Sequence, residues 1–182
     1  YRDQFPSLKN NDPNMITGEA TPYYLVHTVI PRRVFDAMPH VKLIVLLRNP
    51  VDRAYSKYQM GVRKGKRYRR DDGTLLTFEE AIDIEMNQGD PKNRLLGRGI
   101  YVDQLQNWMN WFPREQFLII KSEDMYQDPS SIYQQVTDFL QLPRFTLQTY
   151  PYHNQFKHKY QTMNEDTRKK LIDYFKPHNK RL

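Results

Sequence analysis

One junction constrains this sequence more than any other, because an apolar run leads directly into a proline-marked helix start. Residues 41–56 read VKLIVLLRNPVDRAYS. From Val41 to Leu47 only Lys42 is polar, and a short apolar run of this kind predicts a strand buried on both faces of a parallel sheet. Asn49 then suits a helix N-cap, and Pro50 suits the first helical position, where no backbone donor is needed. The sequence therefore predicts a strand, a tight turn and a helix.

The end of that strand is also where open α/β sheets bind their ligands. Arg48 lies at the carboxyl end of the predicted strand, and Asp52 lies in the first helical turn, where the helix dipole favours a negative charge. Helix-start N–H groups together with a cation such as Arg48 make an anion site, to which Ser56 would add a hydroxyl donor. An ordinary turn with Arg48 in solvent is the alternative. The residues alone leave both interpretations open.

The same residues resemble a known phosphate-binding segment. LLRNPVDRAYSKY is similar to the 3′-phosphate-binding segment of sulfotransferases that use 3′-phosphoadenosine 5′-phosphosulfate (PAPS). In those enzymes an Arg at the strand end and a Ser in the following helix hold the 3′-phosphate of the donor, and these roles fall on Arg48 and Ser56. The order of GEATPYY, IPRRV and the strand resembles the heparan sulfate N- and 3-O-sulfotransferases and their bacterial relatives. The resemblance implies one domain over residues 1–182 with the P-loop-like sulfotransferase fold.

Two further segments acquire site residues only through this resemblance. By position alone Glu19 is a surface carboxylate ahead of a helix start, but the family motif E-K-(S/T)-x-x-Y-F begins with the general base. EATPYY matches that motif with Ala20 in place of the Lys. Near the other end the family has a basic loop that closes over the donor phosphates, and the resemblance assigns this role to Lys157, His158 and Lys159. A surface loop with scattered basic residues is the alternative there.

Other features of the family have no counterpart in the sequence. The N-terminal Lys-x-Gly-Thr-Thr phosphosulfate loop is absent, and Met60 stands where some relatives carry a His on the central helix. Gly-x-x-x-x-Gly-Lys-Ser/Thr is absent as well, so a P-loop kinase is not supported. We expect the strand with the phosphosulfate loop, and the C-terminal end of the domain, to lie outside these 182 residues.

Apolar patterning outside the junction predicts one more strand and several helices. QFLIIK, residues 116–121, reads as a second buried strand. Thr77 and Glu80 have the spacing of a capping box. Predicted helices run from Thr21 through Val29, from Arg32 to Met38, from Thr77, from Arg98 with an apolar stripe of Leu105, Trp108, Met109 and Phe112, from Asp128, and from Asn164 to Phe175. Two buried strands separated by helices predict an α/β fold with a parallel sheet flanked by helices.

Charge and cysteine content narrow the class of partner and compartment. A net charge of +7 predicts an anionic partner, such as a nucleotide, an acidic glycan, an acidic carrier protein or nucleic acid. Much of this charge lies in the basic run from Arg63 to Arg70, which we interpret first as a solvated loop, second as a docking patch for an acidic acceptor and third as a nucleic-acid site with Tyr68 as a stacking aromatic. The sequence has no cysteine, no signal peptide and no bilayer-spanning apolar run, which predicts a cytoplasmic protein.

The resemblance implies in-line transfer of a sulfuryl group from PAPS to a hydroxyl or amine, with Glu19 as the general base and 3′-phosphoadenosine 5′-phosphate (PAP) as the product. A glycan, a carrier-bound acyl chain and a small molecule all remain open as acceptors. No metal is expected, since the His and carboxylate residues lack ligand spacing such as His-Glu-x-x-His. The alternative is a non-catalytic basic module that binds acidic glycan or nucleic acid through the run from Arg63 to Arg70.

Overall fold

The computed structural model describes residues 16–65, 67–88, 95–151 and 162–182. Two parallel strands, β1 (Leu43–Leu47) and β2 (Phe117–Lys121), pair side by side from Leu43 opposite Phe117 to Leu47 opposite Lys121. The helices are α1 (Ile30–Ala37), α2 (Pro50–Arg63), α3 (Phe78–Gln88), α4 (Tyr101–Met109), α5 (Ser122–Gln127), α6 (Pro129–Leu140) and α7 (Glu165–Arg181). The predicted α/β class with a parallel sheet and flanking helices is confirmed.

The strand β1 is not buried on both faces, so that part of the prediction is wrong. Alternate residues of a strand point to opposite faces. Leu43 and Val45 pack against the aromatic cluster below the sheet, whereas Ile44 and Leu46 are 38% and 50% exposed. The exposure arises because no element of the described residues covers the face that carries Ile44 and Leu46.

An aromatic cluster supports the other face of the sheet. Trp108 of α4 stacks with Phe112, which follows the helix, at a centroid distance of 5.9 Å, and Phe117 of β2 meets Phe112 edge to face. The predicted apolar stripe is therefore core at Leu105, Trp108 and Phe112. Met109 differs, because it lies at the last turn of α4 and remains partly exposed.

A second cluster joins α2, α3 and α7. Ala54, Ile82 and Leu171 are buried among its members. Helix α7 continues through Pro177 to Arg181, six residues beyond the predicted end at Phe175. Polar contacts hold its two ends, since Arg168 binds Asp52 at 2.7 Å and Arg181 binds Asp103 at 2.8 Å.

The helix predicted from Thr21 through Val29 does not form. The structure has a short 3-10 helix at Tyr24–Val26, and Pro31 lies in the first turn of α1. Side chains of α4 bind the backbone of this segment, because Trp108 Nε1 donates to the Leu25 carbonyl at 3.3 Å and Asn107 Nδ2 donates to the Thr28 carbonyl at 3.3 Å. Tertiary contacts therefore replace the local helical bonds.

Local capping signals are confirmed at α3 and α6, as well as at α2. Thr77 N donates to Glu80 Oε2 at 2.7 Å and Glu80 N donates to Thr77 Oγ1 at 3.2 Å, which is the reciprocal bonding of a capping box at α3. The Asp128 carboxylate accepts from Ser131 N at 3.0 Å at the start of α6. Within the described ranges, no helix has the length and apolarity needed to cross a membrane.

Candidate active site

The junction between β1 and α2 brings a cation and a hydroxyl to the same helix start. Arg48 directly follows β1 and is exposed, and its guanidinium makes no hydrogen bond or ion pair with any described residue. Ser56 lies half-buried on α2. A rise of about 1.5 Å per residue puts Ser56 roughly 10 Å along the helix axis from Asn49. An extended anion bound beside the first two turns of α2 would therefore lie within reach of both side chains.

The N–H groups at the start of α2 are already bonded within the protein, which corrects the expectation that they would hold an anion. Asn49 Oδ1 accepts from Val51 N at 3.0 Å and from Asp52 N at 3.5 Å. Arg53 N donates to the Asn49 carbonyl at 2.9 Å. Since Pro50 has no N–H, the first turn has no free backbone donor. An anion here would bind side chains rather than the helix backbone.

Backbone contacts from two other elements fix Arg48 and its neighbour. Tyr101, the first residue of α4, donates its hydroxyl to the Arg48 carbonyl at 2.9 Å. Glu123 of α5 accepts from Asn49 N at 2.8 Å. Tyr101 is only 7% exposed, and burial raises the pKa of its phenol, so the hydroxyl stays a donor at neutral pH. Sequence reasoning missed Tyr101 and Glu123, since both lie more than 50 residues from Arg48.

Helix α4 also supports the segment that carries Glu19. Leu25 packs with Leu47, Tyr101 and Leu105 in one cluster. The segment from Glu19 to Leu25 therefore packs against α4, the helix whose Tyr101 binds the Arg48 carbonyl. Glu19 itself is exposed and precedes the 3-10 helix, and no hydrogen bond joins it to Arg48 or Ser56. Helix α4 therefore contacts both the segment that follows Glu19 and the backbone of Arg48. Glu19 itself makes no direct contact with Arg48 or Ser56 through a hydrogen bond.

Comparison with known proteins agrees with this arrangement. The family model described as "Sulfotransferase domain" matches residues 11–180. This chain belongs to the sulfotransferase domain family. Among curated proteins, "Membrane-associated sulfotransferase kil1" of Dictyostelium discoideum is 24% identical over 99% of this chain and 53% of its own length. "Heparan sulfate glucosamine 3-O-sulfotransferase 5" of Mus musculus is 33% identical over 79% of this chain and 40% of its own length.

A solved structure gives the same result in three dimensions. The crystal structure of a sulfotransferase from Alicyclobacillus acidocaldarius superposes with a TM-score of 0.72 and 30% identity, and the match covers 91% of this chain and 62% of that one. The present chain spans about half the length of the two curated relatives named above, 53% of the Dictyostelium protein and 40% of the mouse protein. The fold predicted from the resemblance is confirmed.

The remaining predicted site residues of this sulfotransferase domain are Lys157, His158 and Lys159. All three lie outside the described residues, within the range 152–161. Their assignment to the donor phosphates stays a prediction. In the described part of the chain, no three His, Asp or Glu side chains come together as metal ligands would.

Arginines of the basic run make hydrogen bonds within the protein, but Arg63, Arg69 and Arg70 are exposed, as the interpretation of the run as a solvated loop predicts. Arg69 donates to the Gly73 carbonyl at 2.6 Å, and Arg70 binds Glu80 and donates to the Leu75 carbonyl at 2.9 Å. Tyr68 is 3% exposed, so its ring has no face on which a base could stack. These contacts tie the run to α3 and weigh against nucleic acid as its partner.

A tyrosine of the segment that follows Glu19 interacts with two cations that were not singled out from the sequence. Tyr23, Lys57 and Arg98 belong to three separate parts of the chain. The Arg98 guanidinium carbon lies 4.8 Å from the centroid of the Tyr23 ring. The hydrogen bond with Arg98 lowers the pKa of the Tyr23 phenol, and the charge of Lys57 lowers it further. Arg98 is therefore in contact with Tyr23, and Lys57 acts on the Tyr23 phenol through its charge.

Proposed function

We propose that this chain forms part of a PAPS-dependent sulfotransferase in which Arg48 and Ser56 hold the 3′-phosphate of the donor and Glu19 is the general base. The acceptor is a hydroxyl or an amine, and PAP is the product. Family membership and the match to a sulfotransferase structure support the reaction class. The residue roles rest on the site geometry and on the motifs.

The observation that carries the donor assignment is the way Arg48 is held. Its carbonyl accepts a hydrogen bond from Tyr101 and the following N–H donates to Glu123, while its exposed guanidinium makes no hydrogen bond or ion pair with a described residue. A cation on a fixed backbone at the end of a parallel strand is preorganised for an anionic ligand. Charge-assisted bonds from an arginine to a phosphate are among the strong hydrogen bonds in proteins.

Glu19 would act on the acceptor. The acceptor oxygen or nitrogen attacks the sulfur, the bond between sulfur and the bridging phosphate oxygen breaks, and PAP leaves with that electron pair. The proton of the attacking group passes to the Glu19 carboxylate. Positioning and electrostatic stabilisation carry most of the catalysis in related group transfers. Arg48 and Ser56 contribute by orienting the donor.

A glycan hydroxyl is the acceptor that the relatives favour. The mouse relative is described as a heparan sulfate glucosamine 3-O-sulfotransferase, and this description supports a sugar hydroxyl as the acceptor. A carrier-bound acyl chain, a small molecule and an amine rank behind it. A cytoplasmic location stays a prediction, and the Dictyostelium relative is described as membrane-associated.

Exchange of Glu19 for glutamine tests the base assignment. We expect Glu19→Gln to lower turnover by about 100-fold or more, because general base catalysis contributes on that scale, while PAP affinity stays unchanged. Glu115→Gln is the matched control, since Glu115 is an exposed carboxylate after α4. The assignment is wrong if both variants turn over at the wild-type rate.

A further inference from the structure

Arg98 and Tyr23 form a contact to which the proposed function assigns no role. The guanidinium carbon of Arg98 lies 4.8 Å from the centroid of the Tyr23 ring, which is a favourable cation–π distance. The same guanidinium makes a hydrogen bond with the Tyr23 phenol. Tyr23 is 46% exposed, and its ring also meets His27 of its own segment. Arg98 therefore ties the Tyr23 side chain to a distant part of the chain.

The turn that carries Arg98 is rigid. Arg98 is half-buried and lies in a short 3-10 helix just before α4. Ahead of it, the Glu85 carboxylate of α3 accepts from the backbone N–H groups of Leu96 and Gly97 at 2.9 and 3.0 Å. The residue after it, Gly99, packs so closely against α7 that an added Cβ would lie 2.8 Å from a ring of that helix. The backbone of Arg98 is therefore fixed on both sides.

The backbone between Tyr23 and Glu19 transmits this restraint to the proposed base. Glu19 is exposed and lies in irregular backbone, where no described residue hydrogen-bonds its carboxylate. Pro22 has a fixed φ, and it restricts Thr21 to extended conformations. Tyr24 N donates to the Thr21 carbonyl at 3.1 Å, which closes a turn just after Glu19. The position of the Glu19 carboxylate therefore depends on where Tyr23 is held.

We propose that Arg98 is a positioning residue for the general base, because it holds Tyr23 and through Tyr23 the segment that carries Glu19. This proposal rests on the proposed function, in which Glu19 accepts the proton of the acceptor. Misplacement of a reacting group by about 1 Å can cost about 100-fold in rate. Since Arg98 acts through Glu19 rather than on the donor, its loss lowers turnover and leaves the affinity for PAP unchanged.

Turnover, PAP titration and hydrogen exchange in the full-length protein test the proposal. Turnover is the release of PAP from PAPS, with an N-sulfated heparan tetrasaccharide as the acceptor probe. The variants are Arg98→Ala, Arg98→Lys, which keeps a cation for the ring, Glu19→Gln, and Glu19→Gln combined with Arg98→Ala. Arg32→Ala is the matched control, since the Arg32 guanidinium lies over a different ring, that of Trp111, at 5.9 Å.

We expect Arg98→Ala to lower turnover by about 10- to 100-fold, with PAP affinity within about twofold of wild type. Arg98→Lys should recover part of this turnover. In the Glu19→Gln background, Arg98→Ala should change the residual turnover by less than about twofold, because a base that has been removed needs no positioning. Hydrogen exchange at Tyr24 N should become faster in Arg98→Ala and stay at the wild-type rate in Arg32→Ala.

Three results would overturn the positioning role. They are wild-type exchange at Tyr24 N in Arg98→Ala, losses of turnover that are equal in Arg98→Ala and Arg32→Ala, and a loss of turnover that is the same with and without the Glu19 carboxylate. Thermal unfolding shows whether each variant keeps its fold. If Arg98→Ala does not fold, Tyr23→Leu removes the partner ring from an exposed position and should lower turnover in the same way; wild-type turnover in Tyr23→Leu would then refute the proposal.

The Glu19→Gln variant separates failure of this proposal from failure of the proposed function. If Glu19→Gln lowers turnover and Arg98→Ala does not, the positioning role is wrong and the base assignment stands. If Glu19→Gln turns over at the wild-type rate, the base assignment fails, and the positioning role fails with it. Absence of PAP release by the wild type would contradict a glycan acceptor and would remove the basis of the positioning role as well.

Discussion

Removal of one hydroxyl tests whether the backbone of Arg48 is held for ligand binding. The hydroxyl of Tyr101 donates to the Arg48 carbonyl at 2.9 Å from a buried position. Tyr101→Phe keeps the ring and removes this bond. Loss of a buried neutral hydrogen bond costs about 1 kcal/mol of stability, and as much as about 3 kcal/mol if the carbonyl stays unpaired.

Loss of this hydrogen bond should also lower the affinity for PAP, because a less restrained Arg48 must be ordered when PAP binds. If about 1 kcal/mol of that restraint is lost, PAP affinity falls by roughly fivefold. Tyr58→Phe is the matched control, since Tyr58 is also buried and donates to a backbone carbonyl, that of Leu76, at 2.6 Å.

Chemical denaturation measures the stability of both variants, and calorimetric titration measures their affinity for PAP. We expect similar losses of stability in the two variants and a loss of PAP affinity in Tyr101→Phe alone. Equal PAP affinity in Tyr101→Phe and Tyr58→Phe, at equal losses of stability, would refute the positioning role of Tyr101.

Three further predictions follow from the contacts. Asn49→Ala removes the side-chain cap of α2 and should lower the free energy of unfolding by about 1 kcal/mol in urea denaturation, and an unchanged value would contradict the cap. Gly99→Ala should cost about 1–3 kcal/mol in the same assay by overpacking, because a Cβ there would lie 2.8 Å from the Phe175 ring and 3.0 Å from Pro50; a neutral effect would show that the contact relaxes. Side-chain NMR should find the pKa of Lys57 below its ordinary 10.5, because burial disfavours the charged ammonium; a pKa at or above 10.5 would contradict this effect of burial.

The parts of the fold that depend on neighbouring residues were predictable from the sequence. Asn49 caps α2, Pro50 begins it, and Thr77 with Glu80 forms the capping box of α3. Each of these interactions closes within about three or four residues, so residue type and spacing determine it. The pairing of two strands in parallel followed from their apolar runs and from the helices predicted between them.

Features that depend on distant residues were not predictable in this way. Tyr101 reads in the sequence as part of an apolar helix start, and only the fold brings its hydroxyl to the Arg48 carbonyl. Glu123 reaches Asn49 from 74 positions away. The exposure of Leu46 likewise depends on which elements cover the sheet, which the pattern of a single strand does not contain.

The basic run shows the same limit for charge patterns. A dense run of arginines is usually solvated, but Arg70 is bound to Glu80 of the following helix. Arg98 and the Tyr23 ring on which it stacks come from separate segments. A linear scan for charge density therefore finds the run and misses this pair.

Titration of PAP into the full-length protein tests the donor assignment most directly. AMP, which lacks the 3′-phosphate, is the ligand control, and Arg33→Ala is the protein control, because it removes an exposed arginine from α1. We predict that PAP binds more tightly than AMP and that Arg48→Ala weakens PAP binding by about 10- to 100-fold, the scale of a hydrogen bond to a charged group. Arg33→Ala should leave PAP affinity within about twofold of wild type. PAP binding no tighter than AMP, or equal PAP affinity in Arg48→Ala and Arg33→Ala, would contradict the donor site.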